Sequence, residues 1–164
     1  MHTQTSVIEA FYSAFARRDA EAMNACYSED IVFQDPVFGL IQGVQVKCMW
    51  EMLCANAKDF SLEFGPVEIV DEEYATCKWT ARYSFSKTGR KVVNNVKAFM
   101  RVKDGVIIEH SDAFKLSAWA AQALGWKGYW LGWTGFMKRG IQRKARISLM
   151  EYIDRKYPAI ENNA

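Results

Sequence analysis

The sequence predicts an α+β fold: a helical N-terminal third, a mostly antiparallel sheet, then further helices. Three observations carry this. Apolar residues recur at helical spacing over the first 57 residues, the period switches to two from Ser61, and helical spacing returns beyond residue 116. A chain of 164 residues, 50% apolar and 24% charged, allows one compact unit with an appendage and excludes a largely disordered protein.

Val7, Ile8, Phe11 and Phe15 form the stripe of a first helix over Thr5–Arg18, and Asp19 reads as the cap of a second over Ala20–Tyr27. Ser28-Glu29-Asp30 should stop that helix, leaving a short strand Ile31–Gln34 broken by Asp35-Pro36. Gly39 and Gly43 bracket an expected loop. Val46, Met49, Trp50 and Leu53 mark a third helix, so three helices should precede any long strand.

Four strands are expected after Ser61, with turns at Asp71-Glu72-Glu73, Lys87-Thr88-Gly89-Arg90 and Lys103-Asp104-Gly105. Ala75, Cys77, Trp79, Ala81, Tyr83 and Phe85 share one face of the first long one. Val92, Asn94, Val96, Ala98, Met100 and Val102 share a face of the next. In the last strand Ile108, His110, Asp112 and Phe114 point one way, which places two polar groups on an apolar inner face. Beyond residue 116, Gly125 should end a short helix. Four further glycines make the chain poorly helical until about Ile141, where a final helix with the stripe Ile141, Ala145, Leu149 and Tyr152 begins.

Residues 1–115 carry thirteen basic and sixteen acidic residues, and residues 116–164 carry eight and three, with four of the six Trp. The division is therefore a domain over 1–115 and an aromatic, basic helical extension over 116–164. Its favoured reading is packing over the domain's open end or across a dimer interface. Contact with a membrane surface is the sharper alternative, weakened by Glu151 and Asp154. A net charge of +2 without a reading motif gives no nucleic-acid partner. The four Cys and two His have no metal-ligand spacing, so no metal is expected. With no signal-peptide pattern and no long apolar run, the expected location is the cytoplasm.

The helices, the segment Tyr27-Ser28-Glu29-Asp30-Ile31-Val32-Phe33-Gln34-Asp35-Pro36-Val37 and the final Asp104-Gly105-Val106-Ile107-Ile108-Glu109-His110-Ser111-Asp112 together resemble the nuclear transport factor 2-like superfamily over residues 5–115. The SnoaL-like and ketosteroid-isomerase-like proteins are the nearest pattern. The resemblance implies a cone-shaped, strongly curved mixed sheet, mostly antiparallel, packed on three N-terminal helices around a deep pocket. It also implies a homodimer paired through the sheet's outer face, where Phe99 lies.

The superfamily includes isomerases, dehydratases, cyclases, hydrolases and non-enzymatic binding proteins, so the fold alone does not name a reaction. The resemblance puts Asp35 where ketosteroid isomerases hold their proton-shuttling carboxylate. The oxyanion-donor positions of those enzymes fall instead on Phe11, with Tyr12 one place off, and on Ala98 or Lys97. A true ketosteroid isomerase is therefore not expected. His110-x-Asp112 resembles the last-strand pair of SnoaL-like cyclases, where the aspartate is the acid/base.

Asp35, His110 and Asp112 are thus the candidate catalytic groups, although each also has a plain structural use. Asp before Pro forms turns, and a buried His–Asp pair satisfies itself. Candidate ligand contacts are Phe11, Tyr12, Phe15 and Trp50 from the helices, and Trp79, Asn94, Met100 and Phe114 from the strands. The expected function is cofactor-free acid/base chemistry, that of an isomerase, cyclase, dehydratase or hydrolase, on an apolar cyclic substrate. The alternative is a non-enzymatic ligand-binding or dimeric assembly module.

Overall fold

The structure, a computed structural model, describes residues 2–126 and 134–158. Helix α1 (His2–Ala16) buries Ile8, Phe11, Tyr12 and Phe15, the stripe its spacing forms. Asp19 caps α2 (Ala20–Ala25), its carboxylate accepting from the Ala22 N–H at 3.0 Å. Strand β1 follows at once over Tyr27–Asp35. Ser28-Glu29-Asp30 therefore ends a helix and also starts a nine-residue strand, with an irregular register between Tyr27 and Val32. A long strand thus precedes the third helix.

The expected loop between Gly39 and Gly43 is strand β2 (Gly39–Gln42), which pairs antiparallel with β1. Helix α3 (Val44–Asn56) follows. The second half holds five strand segments rather than four: β3 (Lys58–Phe64), β4 (Glu68–Ile69), β5 (Tyr74–Ser84), β6 (Lys91–Lys103) and β7 (Val106–Ala113). The sheet order is β2-β1-β7-β6-β5-β3, with β4 paired to β5. All neighbours are antiparallel except β1 and β7, which run parallel and bring the two ends of the domain together. Asp104 and Gly105, at φ of 51° and 80°, make the two-residue turn between β6 and β7.

The register of β6 on β7 slips between Arg101 and Val102, a bulge that changes which residues of β7 face inward. Ile107 is buried in place of the expected Ile108, whereas His110 and Asp112 beyond the bulge keep the inner face. Helices α1 to α3 pack on the inner face of this curved, open sheet.

Helix α4 (Leu116–Leu124) ends at Gly125, whose φ of 70° is left-handed. Its Trp119, Ala120 and Ala123 bury against Val92 and Ile141. Gln122 bonds both backbone groups of Val93, accepting from N at 2.8 Å and donating to O at 3.1 Å. Helix α5 (Gly135–Lys156) starts six residues earlier than its apolar stripe, because Thr134 caps it by accepting from the Met137 N–H at 3.2 Å. Leu149 of α5 joins the main core, and Tyr152 and Lys156 bond Glu51 of α3. Trp126 is 72% exposed; Trp130 and Trp133 lie outside the described residues. No helix among the described residues is long and apolar enough to cross a membrane.

Candidate functional site

The helices and sheet enclose a cavity of about 870 Å³. Phe15 and Trp50 from the helices, and Trp79, Asn94 and Phe114 from the sheet side, line it as the sequence predicts. Both candidate carboxylates, Asp35 and Asp112, line it too. Phe11, Tyr12 and Met100 do not: each is fully packed in the core, because α1 and β6 turn these residues toward other side chains.

His110 also stands behind the wall rather than in it. It faces Met100 on β6 and Phe33 on β1, and its side chain has no solvent exposure. Phe11 and Phe33 meet the imidazole edge-on at 5.4 and 5.2 Å, and Trp50 stacks on it at 6.1 Å. His110 Nε2 lies 3.0 Å from Asp112 Oδ1, and Nδ1 lies 2.6 Å from Tyr27 Oη. The Trp50 indole donates to the same Tyr27 oxygen at 3.0 Å.

With the imidazole proton on Nε2, every donor in this chain has an acceptor. Trp50 N–H donates to Tyr27, Tyr27 O–H to His110, and His110 N–H to Asp112. In this pattern Nδ1 accepts from Tyr27 and Nε2 donates to Asp112. The Trp79 indole adds a longer bond to Asp112 Oδ1 at 3.4 Å. Oδ1 is thus held from two sides, and neither bond uses Oδ2. Opposite Asp112 in the ladder stands Ala98, too small to fill the space in front of the carboxylate.

Asp35 ends β1, and its Oδ1 accepts from the N–H groups of Val37 at 2.9 Å and Phe38 at 2.5 Å. Both readings of this residue therefore hold at once: it forms the turn, and it faces the cavity. Burial pushes its carboxyl up from 3.8 to about 7, opposed by the turn's N–H bonds and reinforced by the charge of Asp112. Helix α5 clamps the turn from outside. Arg146 donates to the carbonyls of Phe38 (2.8 Å) and Leu40 (2.9 Å), and Gln142 to that of Pro36 (3.2 Å). Gly39, at φ 68°, is the residue under the guanidinium; a Cβ there would lie 3.0 Å from Arg146 Nη2.

Two tyrosines complete the surroundings. Tyr83, on the Trp79 face of β5, lines the cavity and accepts from the Trp119 indole at 2.9 Å. Its acidity is pushed down by burial, and the nearby Asp35 charge acts the same way. The period of two placed Tyr83 on the inner face, yet nothing local distinguished it from a core residue. Tyr12 carries a buried hydroxyl with no partner of full hydrogen-bond geometry among the described residues; burial, then the charge of Asp112, disfavours its ionisation, and the nearby Trp79 indole opposes them. Among the described residues no three His, Cys, Asp or Glu side chains cluster as metal ligands.

An open curved sheet on three helices, with polar groups set in an apolar cavity, defines the ketosteroid-isomerase-like, or nuclear transport factor 2-like, class of fold. Within that class residues 8–110 match the SnoaL-like domain, and the chain belongs to this family.

Among solved structures, a proposed polyketide cyclase from Xanthomonas campestris superposes with a TM-score of 0.63 at 19% identity, covering 74% of this chain and 97% of its own. An LEH-like epoxide hydrolase from M. tuberculosis gives 0.63 at 19% identity, over 78% and 92%. A protein from Catenulispora acidiphila with the ketosteroid isomerase-like fold, solved with trimethylamine, gives 0.62 at 14%, over 71% and 91%. No curated protein matches this chain in sequence. The family match stops before Asp112, α4 and α5.

Proposed function

We propose that the protein binds an apolar cyclic molecule in the cavity and moves a proton on it, with Asp112 as base and Asp35 as acid. One observation carries the reading: two carboxyl groups of unlike surroundings converge on a single apolar cavity. Asp35, with a value of about 7, holds a proton half the time at neutral pH and is matched to donating it. Asp112 is fixed through Oδ1 by His110 and Trp79, which leaves Oδ2 as the atom that meets substrate.

In the proposed step Asp112 Oδ2 takes a proton from a carbon next to a carbonyl. The C–H electron pair moves into the new C=C bond, and the carbonyl π pair moves onto oxygen. The Asp35 proton and the Tyr83 hydroxyl meet that oxygen. Return of the proton to another carbon gives an isomer, and attack of the enolate carbon on a carbonyl gives ring closure. His110 touches no substrate in this scheme and acts as a positioning residue for Asp112.

The same acid and base would also open an epoxide: Asp112 draws a proton from water as the water oxygen bonds to an epoxide carbon, and the ring C–O bond breaks onto the oxygen that Asp35 protonates. The epoxide hydrolase among the structural neighbours favours keeping this second reading. A homodimer across the outer face, where Val93 and Phe99 are exposed, belongs to the proposal. The test is a thermal-shift screen against steroids, polyketide-like aromatics, terpenoids and terpene epoxides, followed by turnover assays on whatever binds. A ligand at a hundredfold excess over its Kd stabilises by about 2.7 kcal/mol. Asp112→Asn should abolish turnover of that ligand with the fold intact; undiminished turnover overturns the role of Asp112.

A further inference from the structure

We propose that the ligand is an amphiphile, with an apolar body inside the cavity and one anionic group, a carboxylate or phosphate, held at the mouth by Lys87 and helix α5. The inference rests on the cavity being the ligand site and adds the chemical class of what enters it.

The mouth lies where α5 passes the β5–β6 turn, joined by the bond from Lys87 Nζ to Ser148 Oγ at 3.3 Å. Among the described residues five cationic ones border the cavity, Arg18, Lys87, Arg143, Lys144 and Arg155, and all are exposed. One carboxylate, Glu151, lies among them. Lys144 sits one helical turn from Ser148, on the same side of α5, which brings its ammonium toward that of Lys87.

Four cations away from the rim are held in ion pairs. Arg82 meets Glu63, Lys91 meets Asp59, Arg101 meets Glu73 and Glu109, and Lys156 meets Glu51. Among the described residues none of the five rim cations has a carboxylate oxygen within 4.0 Å. Arg18 and Arg155 each use one nitrogen on a backbone carbonyl, of Ala57 and Glu151, and keep further N–H donors. Like charges gathered around a concave apolar opening repel one another and focus a positive potential there, which an anion relieves.

The interior has the opposite character, because its acidic groups are Asp35 and Asp112. A ligand with one anionic end is therefore oriented: the charge stays outside with the cations, and the uncharged end reaches the carboxyl groups. A wholly neutral ligand would gain nothing from the rim.

Calorimetric titration of the full chain with decanoate, decyl phosphate and 1-decanol tests this, since the three share one apolar body. Two or three surface ion pairs amount to about tenfold in affinity. Decanoate or decyl phosphate should therefore bind about tenfold more tightly than decanol at low salt. The advantage should vanish near 0.5 M salt, where the screening length is only ~4 Å. A preference for one anion over the other says whether carboxylate or phosphate is the native group.

Lys87→Ala/Lys144→Ala should remove the anion preference and leave decanol unchanged. Glu151→Gln should increase the preference, a gain that misfolding does not mimic. Equal binding of all three by the native protein overturns the anionic class while leaving the cavity as a ligand site. Absence of binding by any of them overturns the amphiphile proposal, while the thermal-shift screen with cyclic ligands decides the cavity itself.

Discussion

Asp35→Asn tests the electrostatic core of the site without disturbing its geometry, because the amide oxygen still accepts the Val37 and Phe38 N–H bonds. The native carboxyl titrates at about 7 when folded and at 3.8 in the reference state. Between those values the folded protein holds a proton that the unfolded chain has released. Stability from this group is therefore complete below pH 3.8 and is lost as pH rises through 7.

From pH 5 to pH 8 about two pH units of that window are crossed, a ceiling of about 2.7 kcal/mol at roughly 1.36 per unit. Solvent reaches this half-buried carboxyl, so we halve the figure to ~1.5 kcal/mol. In a chain of this size that corresponds to about 3 to 6 °C. The assay is the thermal midpoint of the native protein and the Asp35→Asn variant across pH 5 to 8. The variant should gain on the native protein by that amount as pH rises. A midpoint difference that is flat with pH, or that shrinks toward pH 8, refutes the burial argument.

Three further substitutions separate positioning from packing. His110→Ala should cost about 3 kcal/mol, since it empties a ring-lined site and strands the Tyr27 hydroxyl. It should lower kcat more than KM, and unchanged kcat in folded protein would remove the positioning role. Arg146→Ala frees the carbonyls of Phe38 and Leu40 and should lower stability by ~1 to 2 kcal/mol in urea titration. It should also shift the alkaline limb of the pH–rate profile, where the proposed acid Asp35 loses its proton, because the Asp35 turn loses its outer support. Tyr12→Phe removes a buried hydroxyl that has no partner of full hydrogen-bond geometry among the described residues, so stability should be unchanged or rise by ~1 kcal/mol; a loss of that size would mean that the hydroxyl is bonded, with the Trp79 indole as its partner.

What could be read from the sequence, and what could not, divides by range. Asp35 at a strand end follows from Pro36, and the common face of His110 and Asp112 follows from the pleat; both are local. That His110 lies behind the wall does not follow locally. It depends on the parallel pairing of β1 with β7, which brings Tyr27, 83 residues away in sequence, to the imidazole. The inward turn of Ile107 instead of Ile108 depends on a bulge in the partner register, which alternation alone does not encode. Tyr83 was on the correct face but shared it with core residues. The early start of α5 rested on Thr134, whose cap outweighs the glycines that follow it.

The C-terminal helix connects these findings. Its Arg146 and Gln142 fix the Asp35 turn from residues more than 100 positions away, and its Ile141 and Ala145 complete the cavity wall. These bonds hold in place the turn on which Asp35 is partly buried, and burial is the largest cause of its raised value. The same helix carries Arg143, Lys144 and Arg155 to the rim. An element outside the family match thus holds the turn that carries one proposed catalytic group and supplies charge to the opening. A chain with the same cone but another covering element would keep Asp112 and its His110 support, while Asp35 would face a different dielectric and the mouth a different field. In the proposed reaction the sheet would supply both carboxyl groups, and α5 would steady the turn of Asp35 and set the substrate charge that the opening accepts.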